Sequence, residues 1–203
     1  MSDLAPTHIL VLAAGASSRM RGLDKLMQPI EGIPLLRRSV MAAQNTGAKV
    51  WVTLPATPGP RDTALEGLPV SLVRVAHPER GMAESLKLGV AAIPPDCPIL
   101  LFLADLPEIG TDDLLAILRA QSETPELILR ATTEFGQPGH PVLFPAWARQ
   151  DLLAVDGDIG ARAVLAAHSG KIRAIALPGL RAVTDLDTPE AWADWRAKRG
   201  RPA

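Results

Sequence analysis

Three groups of residues in this 203-residue chain have the types and spacing to handle a polyphosphate and a divalent cation. The first is the stretch Leu12 to Lys25, in which Ala13, Ala14, Gly15, Ala16, Ser17 and Ser18 carry almost no side-chain bulk. Successive backbone N–H groups can therefore approach an anion, while Arg19 and Lys25 add fixed positive charge beside it. The second is Asp105, a carboxylate directly after the most apolar run in the chain, Ile99 to Ala104. The third is the pair Asp185 and Asp187; in an extended segment alternate side chains face one side, so both carboxylates point the same way. A hard cation such as Mg²⁺, or Mn²⁺ in its place, is typically held by one or two carboxylates plus substrate phosphates, so Asp105 with one of the pair suffices. Plainer readings exist for each group: a turn with two solvated basic residues, an Asp-x-Pro turn at Asp105, and a helix start supported by one of the later aspartates beside Thr188.

These residues fall where an α/β sheet would place them. Ile9 to Leu12 reads as a short buried strand, so the small residues begin where the strand releases its chain, at the edge where open α/β sheets bind ligands. Further strands are expected at Lys49–Leu54, Val70–Val75, Ile99–Ala104, Glu126–Ala131 and Lys171–Leu177. Helices are expected over Pro34–Thr46, Asp62–Leu68, Ala83–Ile93, Thr111 to about Gln121 with Thr111 as N-cap, Ala146–Val155 and Gly160–His168. A last helix begins at Thr188-Pro189-Glu190 and stops before Gly200. Thr132 to Phe144, polar and then briefly apolar, reads as an excursion at the sheet edge. Strands alternating with helices over most of the length predict a mostly parallel, Rossmann-like sheet with helices on both faces, a three-layer α/β/α sandwich, in a single domain spanning residues 1–203.

Composition removes several classes of function. Lys plus Arg total 21 against 22 for Asp plus Glu, a formal net charge of −1, so there is no global basic field for nucleic acid. Any anion must meet a local site. Hydrophobic residues make up 47%, but their runs are too short for a membrane span, and the amino terminus has no secretory pattern, so a cytoplasmic protein is expected. Cys97 is the only cysteine; it allows no internal disulfide or multi-thiolate metal site and reads as a small core residue. Neither G-x-G-x-x-G nor a Walker sequence is present after the first strand.

With Pro29 and Gly32-Ile33-Pro34-Leu35-Leu36, the first loop resembles the signature of nucleotidyltransferases of the molybdenum cofactor type, L-A-A-G-x-S-x-R-M-G…D-K-L…P-x-x-G-x-P-L-L. Leu103-Ala104-Asp105-Leu106-Pro107 and Asp185-Leu186-Asp187-Thr188-Pro189-Glu190 resemble two further segments of that family, in the first of which the aspartate binds Mg²⁺. Gly81-Met82-Ala83-Glu84-Ser85-Leu86, Gly139-His140-Pro141-Val142-Leu143-Phe144 and Gly157-Asp158-Ile159-Gly160-Ala161-Arg162 are similar to motifs of its cytidylyltransferase branch. The resemblance implies that Gly81 and Ser85 lie near the nucleoside, and His140, Asp158 and Arg162 near the acceptor. Arg21 stands where the family has glycine, and Gln137-Pro138 where basic residues are frequent, a loss for which Arg130 could compensate.

The resemblance implies CTP as substrate and a molybdopterin-type molybdenum cofactor as acceptor, with a molybdoenzyme or its maturation chaperone as a further partner. In that reading Arg19, Lys25 and Asp105 are catalytic, the backbone from Gly15 to Ser18 cradles the triphosphate, with Ser17 within it, and backbone groups near Leu12, Ala13 and Gly81 meet the cytosine edge. Ala14, where the guanylyl branch has glycine, is expected to narrow the pocket floor against a purine. Three alternatives are a GTP-dependent enzyme, transfer to another phosphate such as a sugar phosphate or phospholactate, and a carrier of the finished cofactor that does no chemistry.

Overall fold

Strand β1 (His8–Leu12) shows why the sheet is covered on both sides. Ile9 and Val11 pack into one apolar cluster and Leu10 into another, and all three are fully buried. In the computed structural model, which describes residues 6–157 and 160–199, the chain continues through a small hairpin, β2 (Pro29–Ile30) and β3 (Ile33–Pro34), into α1 (Leu35–Gln44). Then follow β4 (Lys49–Pro55), α2 (Pro60–Leu65), β5 (Ser71–Val75), α3 (Met82–Ala92) and β6 (Ile99–Leu103). The remainder is α4 (Thr111–Glu123), β7 (Ile128–Thr132), β8 (Pro138–Phe144), α5 (Arg149–Ala154), α6 (Arg162–Ala167), β9 (Ile172–Ala176) and α7 (Pro189–Arg199).

Seven strands form one sheet in the order β5-β4-β1-β6-β8-β7-β9, in which only β8 runs against its neighbours. The expected mostly parallel three-layer sandwich is therefore what forms. Helices α1, α4 and α7 pack on one face through Leu36, Val40, Leu114, Ile117 and Trp192, and α3, α5 and α6 on the other through Leu86, Val90, Leu152 and Val164. Cys97 is buried in the second cluster, as a small core residue should be. Among the described residues no helix is long and apolar enough to cross a membrane.

Two local expectations fail. The segment from Pro138 to Phe144 is an interior strand, held between β6 and β7, and not an excursion at the sheet edge. Its last residues explain this: Val142 and Phe144 enter one core cluster and Leu143 the other, so both faces of the run need cover. Thr111 is the first residue of α4 and not its N-cap; the amide of Gly110 donates to Asp113 Oδ2 at 2.9 Å, while the Thr111 hydroxyl donates to the carbonyl of Ala42. The reading at Thr188 is correct, because its Oγ1 accepts from the amide of Ala191 at the start of α7. Gly200 lies outside the described residues.

Candidate active site at the carboxyl edge of the sheet

The loop that leaves β1 is shaped by backbone conformations that few residues accept without a reason. Ser17 has φ of 52°, Arg21 of 53° and Gly22 of 88°, all in the left-handed region. The Arg21 conformation explains why glycine suits that position; here the side chain is accommodated by turning outward to pair with Glu190 at 2.6 Å. Between them the 3₁₀ turn Ser18–Met20 drives Met20 into the core, which fixes the loop against the sheet. Gly15 and Ala16 are left exposed, and Lys25 opens a second 3₁₀ turn whose cap is the Asp24 carboxylate, accepting from the amide of Leu26.

Lys25 then reaches across the sheet edge. Its ammonium donates to Asp105 Oδ2 and to Asp187 Oδ1, each at 2.5 Å, and Arg19 donates to the other oxygen of Asp187. Residues 80 and 162 positions apart from Lys25 thus meet on one nitrogen. Asp105 is delivered by β6, and the amide of Leu186 donates to its backbone carbonyl, which brings the segment carrying Asp187 alongside. That segment is anchored beyond by α7, where the Trp192 indole donates to the carbonyl of Leu186. Burial works to lower the Lys25 pKa, but the charge and hydrogen bonds of Asp105 and then Asp187 outweigh it and hold the ammonium above its usual range.

Asp185 lies in the same field without touching Lys25. Partial burial first, then the neighbouring Asp187 and Asp105 charges, push its carboxyl upward. The expected common side for Asp185 and Asp187 fits this mutual repulsion, yet only Asp187 takes the lysine. Asp105 Oδ1 is buried with no hydrogen-bond partner, a vacant acceptor beside two carboxylates. Among the described residues no group of three or more His, Cys, Asp or Glu side chains could hold a metal alone. The donors therefore fit a hard cation that completes its shell with substrate oxygens, held by Asp105 and Asp187.

The other candidates divide. His140 at the start of β8 and Arg162 at the start of α6 lie within electrostatic reach of each other, of Arg130 on β7 and, for His140, of Asp105. Burial, reinforced by the Arg130 and Arg162 charges against an opposing pull from Asp105, pushes the His140 imidazole down to about 4. It is neutral at physiological pH, and its Nδ1 is buried without a partner. Arg130 is held below its ordinary value by burial and by Arg162, and its Nε donates to the carbonyl of Gly139. Gly81, with φ of 88°, and buried Ser85 sit at the amino end of α3, where no hydrogen bond joins them to Lys25 or Asp105. Asp158 lies outside the described residues. Leu12 ends β1 and Ala13 is buried. Ala14, beside it, is only 2% exposed.

One residue of this region was missed by sequence reasoning: Arg61, at the start of α2. It is 7% exposed and is surrounded by loop atoms. Its Nε and one terminal nitrogen grip the two oxygens of Asp24 at 2.7 and 2.8 Å. Although burial alone would raise the Asp24 pKa, this pairing holds it below the usual carboxylate range. The signal available was indirect: the partner of Asp24 is not a neighbouring loop cation such as Arg21 or Lys25 but Arg61, 37 positions further along the chain. A separate cavity of about 750 Å³, lined by Arg38, Pro107, Gly110, Arg181 and Arg199 among others, contains neither Lys25 nor either aspartate. Its arginines are paired with Glu31 and Asp113, so it offers little free charge.

Known proteins share both the sequence pattern and the fold. The family described as "MobA-like NTP transferase domain" matches residues 9–172. The bifunctional protein GlmU of Xylella fastidiosa is 31% identical over 142 residues, which are 68% of this chain and 30% of that protein. The chain thus spans about 30% of the length of the curated relatives it matches. The crystal structure of Rv0371c from Mycobacterium tuberculosis superimposes with a TM-score of 0.80 at 27% identity, covering 95% of this chain and 96% of the other. A nucleotidyl transferase from Methanothermobacter thermautotroptrophicus gives a TM-score of 0.74 at 24% identity, covering 95% and 97%.

Proposed function

Because the chain belongs to the MobA-like NTP transferase family, we propose that it transfers CMP from CTP to the phosphate of a molybdopterin-type molybdenum cofactor, releasing pyrophosphate. The observation that carries this reading is the meeting of Lys25 with Asp105 and Asp187, a cation from the phosphate loop set between the two carboxylates best placed to hold a metal. A carrier of finished cofactor would have no need of such a set.

In this mechanism the acceptor phosphate oxygen attacks the α-phosphorus of the nucleotide; the new P–O bond forms as the bond from the α-phosphorus to the bridging oxygen breaks. A phosphate monoester is largely dianionic at neutral pH and needs no strong base, so catalysis is positioning and neutralisation of charge. His140, uncharged, serves as a hydrogen-bonding group near the acceptor and not as an acid. The backbone of Gly15 to Ser17 faces the triphosphate, with Arg19 and Lys25 balancing its charge. Asp105 and Asp187, with Asp185 beside them, would hold Mg²⁺ or Mn²⁺, and when bound such an ion supplies Lewis-acid neutralisation of charge on the reacting phosphate. Gly81 and Ser85 flank the nucleoside, and Arg130 and Arg162 the anionic acceptor. The preference for CTP rests on the cytidylyl-type motifs alone.

The test is pyrophosphate release from the chain with Mg²⁺, the cofactor and each nucleoside triphosphate in turn. CTP should give the highest kcat/KM; a clear preference for GTP, or release only with a sugar phosphate, would replace this reading by one of its rivals. Asp105→Asn, nearly isosteric, should fold normally and turn over roughly 10²–10³ times more slowly; near-native turnover would remove Asp105 from the mechanism.

A further inference from the structure

We infer that Arg61, through its pair with Asp24, is a positioning residue for the nucleotide, holding the phosphate loop in shape from beneath. One guanidinium reaches the loop at three places. It donates to the carbonyl of Ala13 at 2.6 Å where the loop begins, to Ser17 Oγ at 3.2 Å where the backbone turns left-handed, and to both oxygens of Asp24 just before Lys25. The loop's own cross-links are weaker: Ser17 Oγ donates to Asp24 Oδ1 at 3.3 Å and accepts from the amide of Lys25 at 3.3 Å. Without the arginine, the side-chain ties between Ser17, Asp24 and Lys25 would be reduced to those two long bonds, leaving the Met20 amide on the Ser17 carbonyl and the Asp24 cap on Leu26 to hold the two turns.

The arginine itself stands on rigid ground. It belongs to α2, whose first residue is Pro60, and α2 follows β4, which pairs with β1 from Lys49 to Thr53. Thr53 of β4 also grips the loop's first amide, accepting from Ala13 N through Oγ1 at 3.2 Å. The unit β4 to α2 therefore holds the loop from the neighbouring strand. Stability alone does not account for the pair, because a buried ion pair is often no better than apolar residues of similar volume. What apolar residues could not do is reach a carbonyl, a hydroxyl and a carboxylate in fixed directions, which the planar fork of arginine does.

The inference rests on reading this loop as the triphosphate site, and the experiment separates the two. Arg61→Lys keeps the charge and loses the fork, and Asp24→Asn removes the partner's charge with little change in volume. Hydrogen exchange of the loop amides from residue 14 to residue 25 in the free chain should quicken at least tenfold in both variants, with the strand amides unchanged. The dissociation constant for CTP with Mg²⁺, measured by calorimetry where each variant is fully folded, should rise at least tenfold. The double variant should be no worse than the weaker single one, since both remove one device. Arg74→Ala, which breaks the nearby exposed pair with Asp62, should leave loop and affinity alone. Loop protection retained in both single variants, or CTP affinity within twofold of native in both, overturns the inference. A native chain that binds no nucleoside triphosphate would instead sink the functional reading, and loop protection would then decide alone whether Arg61 holds the loop.

Discussion

His140 carries its pKa of about 4 into any acid unfolding of this protein. Between that value and the ordinary 6.5, the unfolded chain binds a proton that the folded chain refuses, so stability falls as pH drops through this window. Each pH step of one within the window removes about 1.4 kcal/mol, so the loss attributable to His140 is about 2 kcal/mol by pH 5. Urea unfolding at pH 7 and pH 5 should show that His140→Gln loses less stability than the native chain by about that amount. Equal losses would mean that the imidazole is not held neutral. His8, lowered by burial, and Asp185, raised, are present in both proteins and cancel in the comparison. At this scale the sequence was uneven to read. Lys25, Asp105 and Asp187 could be picked out because each follows or precedes a recognisable element. Arg61 could not, because its importance lies in what it touches across the boundary between two strands.

Elements inherit that asymmetry. The strands and helices with clean periodicity, such as β6 and α7, were legible to within a few residues. Strand β8 was not, since polar residues and glycine mask its first half and one of its two neighbours in the sheet, β6, is not its neighbour in sequence. Its junction with the segment before α7 is tight. A Cβ on Gly139 would stand 2.0 Å from the carbonyl oxygen of Ala182 and 2.9 Å from Val183 Cγ1, and the next amide, of His140, donates to that same carbonyl at 2.9 Å. Backbone cannot swing aside as a side-chain tip can. Gly139→Ala should therefore displace the segment leading to Asp185 and Asp187, costing roughly 1–3 kcal/mol of stability and lowering nucleotidyl transfer as well. Gly89→Ala, whose Cβ would meet side-chain atoms of buried Leu10 at 2.5 to 3.1 Å and not a backbone carbonyl, should spare activity in the folded fraction. Thermal melts and initial rates of the two variants side by side provide the check; equal effects would show that the β8 contact does not position the aspartates.

For the whole molecule, alternation of strand and helix along the sequence implied the layered sheet, and the sheet in turn gathers loops from β1, β6 and the approach to α7 at one edge. What the linear order could not supply is the partner of each charge after folding. The full chain is almost neutral, at −1, and the same balance is repeated in miniature at the site, where Lys25 and Arg19 together offset the charges of Asp105 and Asp187. The free protein thus behaves as an ion exchanger already loaded with its own counter-ion. A divalent cation arriving alone must displace that ammonium, whereas one arriving with a triphosphate offers the lysine a new anion in the same event. Cation and nucleotide should accordingly bind with positive heterotropic linkage, each raising the other's affinity by one common factor. Mn²⁺ binding followed by electron paramagnetic resonance should be at least tenfold tighter with CTP present than without, and Lys25→Met should shrink that gap by strengthening the binding of Mn²⁺ alone. Equal affinity in both conditions would mean that the lysine yields its place freely. With that linkage, free cation alone would leave the protein in its self-neutralised form, and the nucleotide would be what assembles the proposed site.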